Sequence, residues 1–151
     1  MNNIRFGFRL IAIPLIASLS ACSVATNTPT SPTSIVGSTA LTADAITATW
    51  KLQSIQPQGL AEMVAPAGAA YTITFADRLS VRADCNMCSS SYTIDGHTLS
   101  INTAMACTRA ACPTMAFESQ FEQMIAGTHE ASLSGSTMKW TSPRGTLTFS
   151  R

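Results

Sequence analysis

The cysteines are the residues of this chain whose spacing most clearly predicts chemistry. Four of the five lie in two short motifs, Cys85-Asn86-Met87-Cys88 and Cys107-Thr108-Arg109-Ala110-Ala111-Cys112. Paired motifs of this kind support disulfide bridges, a structural zinc site or thiol redox exchange. The cellular compartment decides among these chemistries, because disulfides persist in exported proteins and are rare in the reducing cytosol.

Cys22, the fifth cysteine, lies in a stretch that predicts the compartment. Arg5 and Arg9 give the N-terminus a positive charge, and the apolar residues 10–19 lead into Leu19-Ser20-Ala21-Cys22. A positive start, a short apolar run and small residues before a cleavage site are typical of a signal peptide. The run is shorter than the roughly 20 apolar residues that a membrane-spanning helix needs. The order predicts a bacterial lipoprotein that is cleaved immediately before Cys22.

Cleavage after a signal peptide at residues 1–21 would make Cys22 the lipid anchor of the mature protein. Its acyl chains would bind the membrane, which is therefore a predicted partner. Ser23, and not Asp, follows Cys22, and by resemblance to lipoproteins of Gram-negative bacteria this predicts an outer-membrane lipoprotein that faces the periplasm. The alternative is an ordinary secretory peptide that is cut near Ala21, with Cys22 incidental.

The mature chain is predicted to consist of a flexible tether and one domain. Residues 22–43 contain no charged or aromatic residue, and Ser and Thr fill about half of these positions. A segment of this composition buries too little apolar surface to offset its ordering entropy. Residues 44–151 have a common single-domain size. Without residues 1–21 the chain has seven basic and eight acidic residues, and this balance argues against nucleic acid as a partner.

Apolar and polar residues alternate through most of the domain, which predicts β-strands. Asp95-Gly96 separates two of these alternating runs, and this dipeptide favours a hairpin with a type I′ turn. The alternating apolar residues are Trp50, Leu52, Tyr71, Ile73, Phe75, Leu79, Val81, Ala83, Tyr92, Ile94, Leu99, Ile101, Leu133, Met138, Trp140, Leu147 and Phe149.

One segment has the period of an α-helix, over about residues 114–126. Its apolar face consists of Phe117, Phe121, Met124 and Ile125. Glu118 and Glu122 fall on other faces of this helix. The predicted fold class is α+β, with a curved antiparallel β-sheet or partly closed barrel of about seven or eight strands and one packed α-helix. A plain β-sandwich is the alternative.

The predicted hairpin lies between the two cysteine motifs and brings them together. Its antiparallel course favours the nested pairing, Cys85–Cys112 with Cys88–Cys107, although the crossed pairing stays open. Each nested bridge would close a loop of roughly 20–30 residues and contribute about 3–4 kcal/mol. A zinc site or a redox motif using the four cysteines is a weaker alternative. The second spacing is unusual for a zinc ribbon, and no helix follows the first motif.

Several short motifs occur in a fixed order between Trp50 and Phe149. They are Trp50-Lys51-Leu52, Asp84-Cys85-Asn86, Tyr92 with Asp95-Gly96, the run from Thr108 to Cys112, Glu118-x-x-Phe121-x-x-x-Ile125 and Gly145-Thr146-Leu147-Thr148-Phe149. Together these motifs resemble a META domain, the family that includes the HslJ-like heat-shock lipoproteins. No single motif is specific, and the resemblance depends on their order along nearly the whole domain.

The resemblance implies a small, disulfide-stabilised α+β domain. The family's usual cysteine pair falls on Cys85 and Cys112, which independently favours the nested pairing. Asp84 stands where the family has Gly, and Ala110 stands where it has Met, so the loop around Cys85 differs from the family pattern. Members of the family are linked to heat shock, drug tolerance, secretion and virulence, and no biochemical activity is established for them.

The sequence predicts no catalytic residues, no metal site and no cofactor. His97 and His129 are the only histidines, and both are expected to be polar surface residues. Asn86 and Arg109 lie within the cysteine motifs and are the candidates for a recognition loop, with a turn former and a solvated side chain as the simpler interpretations. The predicted function is a non-enzymatic envelope lipoprotein for stress tolerance or binding. The alternative is an inhibitor of an envelope hydrolase or protease, with an envelope protein as partner.

Overall fold

The computed structural model of the chain describes residues 40–151. The predicted signal peptide, Cys22 and the tether as far as residue 39 lie outside the described residues. Of the helices in the described part, none is long and apolar enough to cross a membrane. In chain order the elements are α1 (Ala43–Ile46), β1 (Thr49–Pro57), β2 (Met63–Val64), β3 (Tyr71–Phe75), β4 (Leu79–Ala83), β5 (Asn86–Ser90), β6 (Tyr92–Asp95), β7 (Thr98–Ile101), β8 (Ala106–Cys107), α2 (Met115–Ile125), β9 (Gly127–Ser134), β10 (Thr137–Ser142) and β11 (Gly145–Ser150).

The eleven strands form one antiparallel sheet that curls into a half-barrel. The strand order is β6-β7-β9-β10-β11-β1-β3-β4-β5-β8, and β2 pairs with β1. The chain passes from β5, next to one end of this order, to β6 at the other end, and Ser90 Oγ of β5 donates to the Asn102 carbonyl, just after β7, at 2.9 Å. The predicted α+β class is confirmed. The strand count exceeds the predicted seven or eight because β2 and β8 have two residues each and β5 is polar.

The alternating apolar side chains of the strands form a single core inside the curled sheet. Trp140 lies near its centre, with ring centroids 4.7 Å from Phe149 and 6.0 Å from Phe75. Trp50 is fully buried, and its indole Nε1 donates to the Ile46 carbonyl at 2.9 Å. Burial of these large aromatic side chains is the main favourable contribution to folding in a domain of this size.

Helix α2 packs its apolar face on the sheet, and its observed span agrees with the prediction of about residues 114–126. Phe117 and Phe121 meet the Tyr71 ring of β3 edge to face, with centroid separations of 4.9 and 5.3 Å. Phe121 is fully buried and Phe117 is half-buried. Glu118, which was predicted to fall outside the apolar face, is nevertheless buried, and its side chain lies beside β5.

The first described residues already belong to the folded domain. Leu41 is 5% exposed and its backbone N–H donates to the Gly96 carbonyl at 3.0 Å. Thr42 caps α1 by accepting a hydrogen bond from the backbone of Ala45. The fold therefore includes Leu41, three residues before the predicted start at Asp44, because an apolar side chain near the end of the Ser/Thr-rich segment reaches the core.

The predicted hairpin forms between β6 and β7, but its turn lies one residue later than predicted. Asp95 is the last residue of β6 and pairs with Thr98, so the loop consists of Gly96 and His97. Gly96 has a φ of +58°, and Asp95 stays extended in the strand. The type I′ turn expected over Asp95-Gly96 is thus replaced by a Gly96-His97 loop with glycine in the first position.

Candidate functional site

Two disulfide bridges join β5 to the segment that precedes α2. Cys88 and Cys107 lie directly opposite each other in the β5–β8 pairing, and their sulfurs form one bridge. Cys85 and Cys112 form the other, with Cα atoms 5.7 Å apart. This is the nested arrangement. Glu122 lies close to the Cys88–Cys107 sulfurs, which are bonded to each other in the bridge.

The side chain of Asn86 lies at the centre of the polar contacts between these bridges. Its Nδ2 donates to the Ala110 carbonyl at 3.0 Å and to Glu118 Oε1 at 2.7 Å. Its Oδ1 accepts from Ala110 N at 2.8 Å and from Thr108 Oγ1 at 2.9 Å. Asn86 is 2% exposed and belongs to β5. It is therefore a buried connector, and neither the turn nor the exposed recognition position expected from the sequence applies.

Glu118 is the partner of Asn86 on helix α2, and sequence reasoning missed it as a buried residue. The side chain is 5% exposed and lies in the first turn of the helix, where a carboxylate is favoured by the helix dipole. Its Oε1 accepts from Asn86, whereas Oε2 has no hydrogen-bond partner within residues 40–151. A buried oxygen left without a donor costs about 1–3 kcal/mol, and more if it is charged. This oxygen therefore marks the most unusual polar position near the bridges.

Arg109 and Glu122 form an ion pair across the bridged loop. Arg109 Nη1 lies 2.7 Å from Glu122 Oε2, with the arginine side chain 70% exposed. The hydrogen bond to Glu122 and its charge raise the pKa of the Arg109 guanidinium, which stays cationic. Glu122 Oε1 also approaches Cys88 Sγ at 3.7 Å. The predicted recognition residue Arg109 is exposed, but its position is fixed by a partner on α2.

A small pocket of about 210 Å³ opens beside the bridged loop. The two sequence candidates, Asn86 and Arg109, both line it. Asn86 and Glu118 are its buried lining residues, whereas Arg109 and Met115 are exposed. Ala110, Ala111 and Ser119 complete the lining. The pocket is thus bounded by the loop between β8 and α2 on one side and by the first turns of α2 on the other.

Asp84 fixes the start of α2 beside this pocket. Its Oδ2 accepts from Thr114 Oγ1 at 2.6 Å and from Thr114 N at 3.3 Å, and the Tyr71 hydroxyl lies 2.6 Å from Thr114 Oγ1. Burial raises the pKa of Tyr71, so the phenol stays protonated at neutral pH and can donate to Thr114. Asp84 has a φ of +56°, in the left-handed region that favours glycine. This explains how Asp84 occupies the family's glycine position.

His129 lies in the core, away from the pocket, and the expectation of a surface position is wrong. The side chain is 2% exposed, and Nε2 lies 2.7 Å from the Ile125 carbonyl. Nδ1 has no partner within the described part of the chain, and the imidazole packs 5.3 Å from the Trp140 ring. Burial lowers the pKa of His129 and the charge of Arg144 lowers it further, against an opposing effect of the Ile125 hydrogen bond. His97 is half-buried in the β6–β7 loop.

Comparison with known proteins identifies relatives of the domain. Residues 41–151 match the META domain family. The structure is similar to a protein from Burkholderia xenovorans solved by NMR, with a TM-score of 0.60 and 21% identity over 72% of this chain and 85% of that chain. A second protein solved by NMR gives a TM-score of 0.58 and 18% identity over 73% of this chain and 94% of that chain. At these identities the likeness shows the fold alone. No curated protein matches the sequence.

Proposed function

Because this chain belongs to the META domain family, we propose that it is a non-enzymatic binding module for stress tolerance in the bacterial cell envelope. The observation that carries the proposal is the pair of nested disulfides around the pocket of Asn86 and Glu118. Two structural disulfides in a small domain suit an oxidising compartment such as the periplasm. They also hold the pocket wall to the sheet before any ligand arrives.

Preorganisation is the physical reason for assigning a binding role to this region. The loop from Thr108 to Ala111 is fixed at its ends by the bridges at Cys107 and Cys112, and in its middle by the hydrogen bonds of Asn86 to Ala110. A loop that is already ordered loses little conformational entropy when it binds a partner. The loop and its pocket therefore form the most suitable recognition surface among the described residues.

We further propose that Cys22 carries the lipid anchor and that the domain faces the periplasm from the outer membrane. The test is fractionation of cells that express the full chain or Cys22→Ala, together with metabolic labelling by a palmitate analogue. We expect the full chain to be labelled and to sediment with outer membranes, and Cys22→Ala to be unlabelled and soluble. Ser23→Ala is the matched control and is expected to behave as the full chain. Unlabelled full chain, or membrane sedimentation that does not change in Cys22→Ala, would contradict the anchor.

The stress-tolerance role is tested in the cell that carries the gene. A strain that lacks the protein is expected to lose viability after heat shock and to recover it when the full chain is supplied. Cys22→Ala is expected to recover it only in part, because the module would be released from the membrane where it acts. Equal survival of the deletion strain and its parent under envelope and heat stress would argue against this role.

Arg109 supports a second candidate, an inhibitor of an envelope hydrolase or protease. Its guanidinium is 70% exposed on a loop held by both bridges, and a rigid loop with one projecting side chain is suited to enter an enzyme cleft. Affinity capture from envelope extracts with the full chain is then expected to recover one hydrolase in a 1:1 ratio to the bait. Capture with Arg109→Ala is expected to recover none of this hydrolase. Lys139→Ala, an exposed cation on β10, is the control for charge alone.

A further inference from the structure

We propose that the pocket of Asn86, Arg109, Met115 and Glu118 binds a primary ammonium group, carried by a small alkylamine or by a lysine side chain. The inference rests on the binding role proposed above and names the ligand chemistry of the same site. It begins from an oxygen without a partner: Glu118 Oε2 is buried, and no donor within residues 40–151 reaches it. Buried polar atoms in native proteins nearly always have a partner, so this oxygen points to a donor from outside the domain.

None of the neighbouring donors of the pocket bonds Glu118 Oε2. The Nδ2 group of Asn86 donates to the Ala110 carbonyl and to Glu118 Oε1, and its two hydrogens are then used. Arg109 Nη1 is held by Glu122 at 2.7 Å, and none of the other N–H groups of this guanidinium reaches Glu118 Oε2. A donor that enters through the pocket, as a ligand or as water, would supply the partner that Oε2 lacks.

The charge at the pocket favours a cationic donor. Glu118 and Arg109 are the charged residues of the lining, and the guanidinium of Arg109 is paired with Glu122, which lies outside the lining. Arg109 is therefore not paired with Glu118, and the Glu118 carboxylate has no cationic partner of its own among the described residues. An entering carboxylate or phosphate would meet the unpaired Glu118 oxygen at the buried end of the pocket. An ammonium group would instead supply three N–H donors and the missing positive charge.

The size and lining of the pocket favour an alkyl stem behind the ammonium. The volume of about 210 Å³ is below the roughly 300–1,000 Å³ of pockets for drug-sized ligands. Met115, 54% exposed, and the methyl groups of Ala110 and Ala111 offer apolar contact for methylene groups. Because Oε2 is shielded from solvent, entry of the ammonium requires a small shift of the lining side chains.

The test is a titration of the oxidised full chain, labelled with ¹⁵N, by n-butylammonium and by Nα-acetyl-lysine methylamide. Two neutral probes are the controls. Nα-acetyl-norleucine methylamide keeps the alkyl stem of the lysine probe without its charge, and butyramide offers an N–H donor without a charge. We expect saturable shifts at Glu118, Ala111 and Met115 with both amines, and at least tenfold weaker binding of both neutral probes. Tighter binding of n-butylammonium than of the lysine probe would identify a free amine as the ligand, and the reverse order a lysine of a protein.

Variants connect the binding to Glu118. Glu118→Gln keeps the shape and the oxygen that accepts from Asn86 but removes the charge, and we expect it to weaken amine binding at least tenfold. Glu130→Gln, an exposed acidic residue on β9, is expected to leave binding unchanged. Ala111→Leu fills the pocket from an exposed loop position without touching Glu118, and it keeps the test valid if Glu118→Gln does not fold.

Three results would overturn the inference: no saturable binding of either amine, equal binding by the neutral probes, or binding that neither Glu118→Gln nor Ala111→Leu weakens. None of these results bears on the envelope role itself, because that role is judged by the fractionation of Cys22→Ala and by survival of heat shock. Normal anchoring and survival together with failed amine binding would reject the ligand and keep the proposed function. Loss of anchoring and of heat-shock survival together with intact amine binding would reject the envelope function and keep the ligand.

Discussion

Asn86 of β5 donates a 2.7 Å hydrogen bond to Glu118 of α2, and this contact joins two motifs that lie 32 residues apart in the chain. Both side chains are buried. The same amide also bonds both backbone groups of Ala110. A single polar side chain therefore connects the sheet, the bridged loop and the helix, and the disulfides at Cys85 and Cys88 flank it on either side.

Removal of the Asn86 amide is expected to destabilise the domain strongly. Asn86→Ala would leave the buried Glu118 carboxylate without its donor and would remove the part-buried hydrogen bonds to both backbone groups of Ala110. Because each orphaned buried group costs about 1–3 kcal/mol, we expect the free energy of unfolding to fall by about 3 kcal/mol or more. Urea unfolding followed by tryptophan fluorescence measures this change in the oxidised protein.

Asn102→Ala is the matched control for this substitution. Asn102 is exposed, and its side chain accepts one local hydrogen bond from Ala104 N, so a loss of about 1 kcal/mol or less is expected. If Asn86→Ala and Asn102→Ala lowered the free energy of unfolding by similar amounts, the Asn86 hydrogen bonds would contribute no more stability than a hydrogen bond in an exposed turn.

Gly145 is expected to tolerate no side chain. Its φ is +131°, and a Cβ atom at this position would lie 2.1 Å from the carbonyl oxygen of Gln56 in the neighbouring strand. Backbone cannot move aside cheaply within the β1–β11 pairing, so Gly145→Ala should lower the free energy of unfolding by at least about 3 kcal/mol or abolish folding. The measurement is the midpoint of urea unfolding, or the soluble yield if the variant does not fold.

Gly135→Ala provides the comparison for Gly145. Gly135 also has a positive φ, +58°, but a Cβ there meets no atom within 4 Å. Only the left-handed backbone is then penalised, at about 1–2 kcal/mol. If both alanine variants lost the same stability, close approach to Gln56 would not be the reason for glycine at Gly145.

Asp84 combines an unfavourable backbone conformation with a favourable cap, and two substitutions separate these effects. Asp84→Gly removes the hydrogen bonds to Thr114 but relieves the left-handed φ of +56°. Asp84→Ala removes the same bonds and keeps the unfavourable φ. We expect the alanine variant to be less stable than the glycine variant by about 1–2 kcal/mol, with melting temperatures measured under oxidising conditions. A glycine variant no more stable than the alanine variant would show that the backbone at Asp84 carries no such penalty.

The sequence predicts most of the fold because its apolar periodicity is strong. Helix α2 follows from a clear helical stripe, and its observed span agrees with the prediction. Strand β5 is missed because Asn86-Met87-Cys88-Ser89-Ser90 has no apolar alternation, and its pairing with β4 decides its structure.

The candidate site is harder to predict because its polar residues are buried by partners distant in the chain. Glu118 lies at the edge of the apolar stripe, three residues before Phe121 and seven before Ile125, and this spacing was the available signal of its burial. Its polar partner, Asn86, comes from another element and could not be read from the helix. His129 likewise alternates as an inward residue of β9, with Ala131 next on the same face, and this was the available signal of its burial. The polar side chain of His129 predicts a surface position, whereas its place in the strand predicts burial. Packing against the Trp140 ring favours the buried position.

Burial of His129 should make the domain sensitive to mild acid. The pKa of His129 is lowered in the folded state, chiefly by burial, whereas in the unfolded chain it is about 6.5. Between these two values the unfolded chain binds more protons than the folded chain, so the free energy of unfolding falls as the pH drops through this window. The slope reaches at most about 1.4 kcal/mol per pH unit for one group. At about pH 8 and above the imidazole is neutral in both states, and the effect disappears.

Paired glutamine variants identify the histidine responsible for this acid sensitivity. His129→Gln keeps an N–H donor for the Ile125 carbonyl but does not titrate, so we expect the loss of stability below about pH 6.5 to become much smaller. His97→Gln, in the half-buried β6–β7 loop, should retain the pH dependence of the natural chain. Urea unfolding at several pH values in this range measures the slope for each protein. A slope that disappears in His97→Gln, or that persists in His129→Gln, would assign the acid sensitivity to a group other than the buried imidazole beside Trp140.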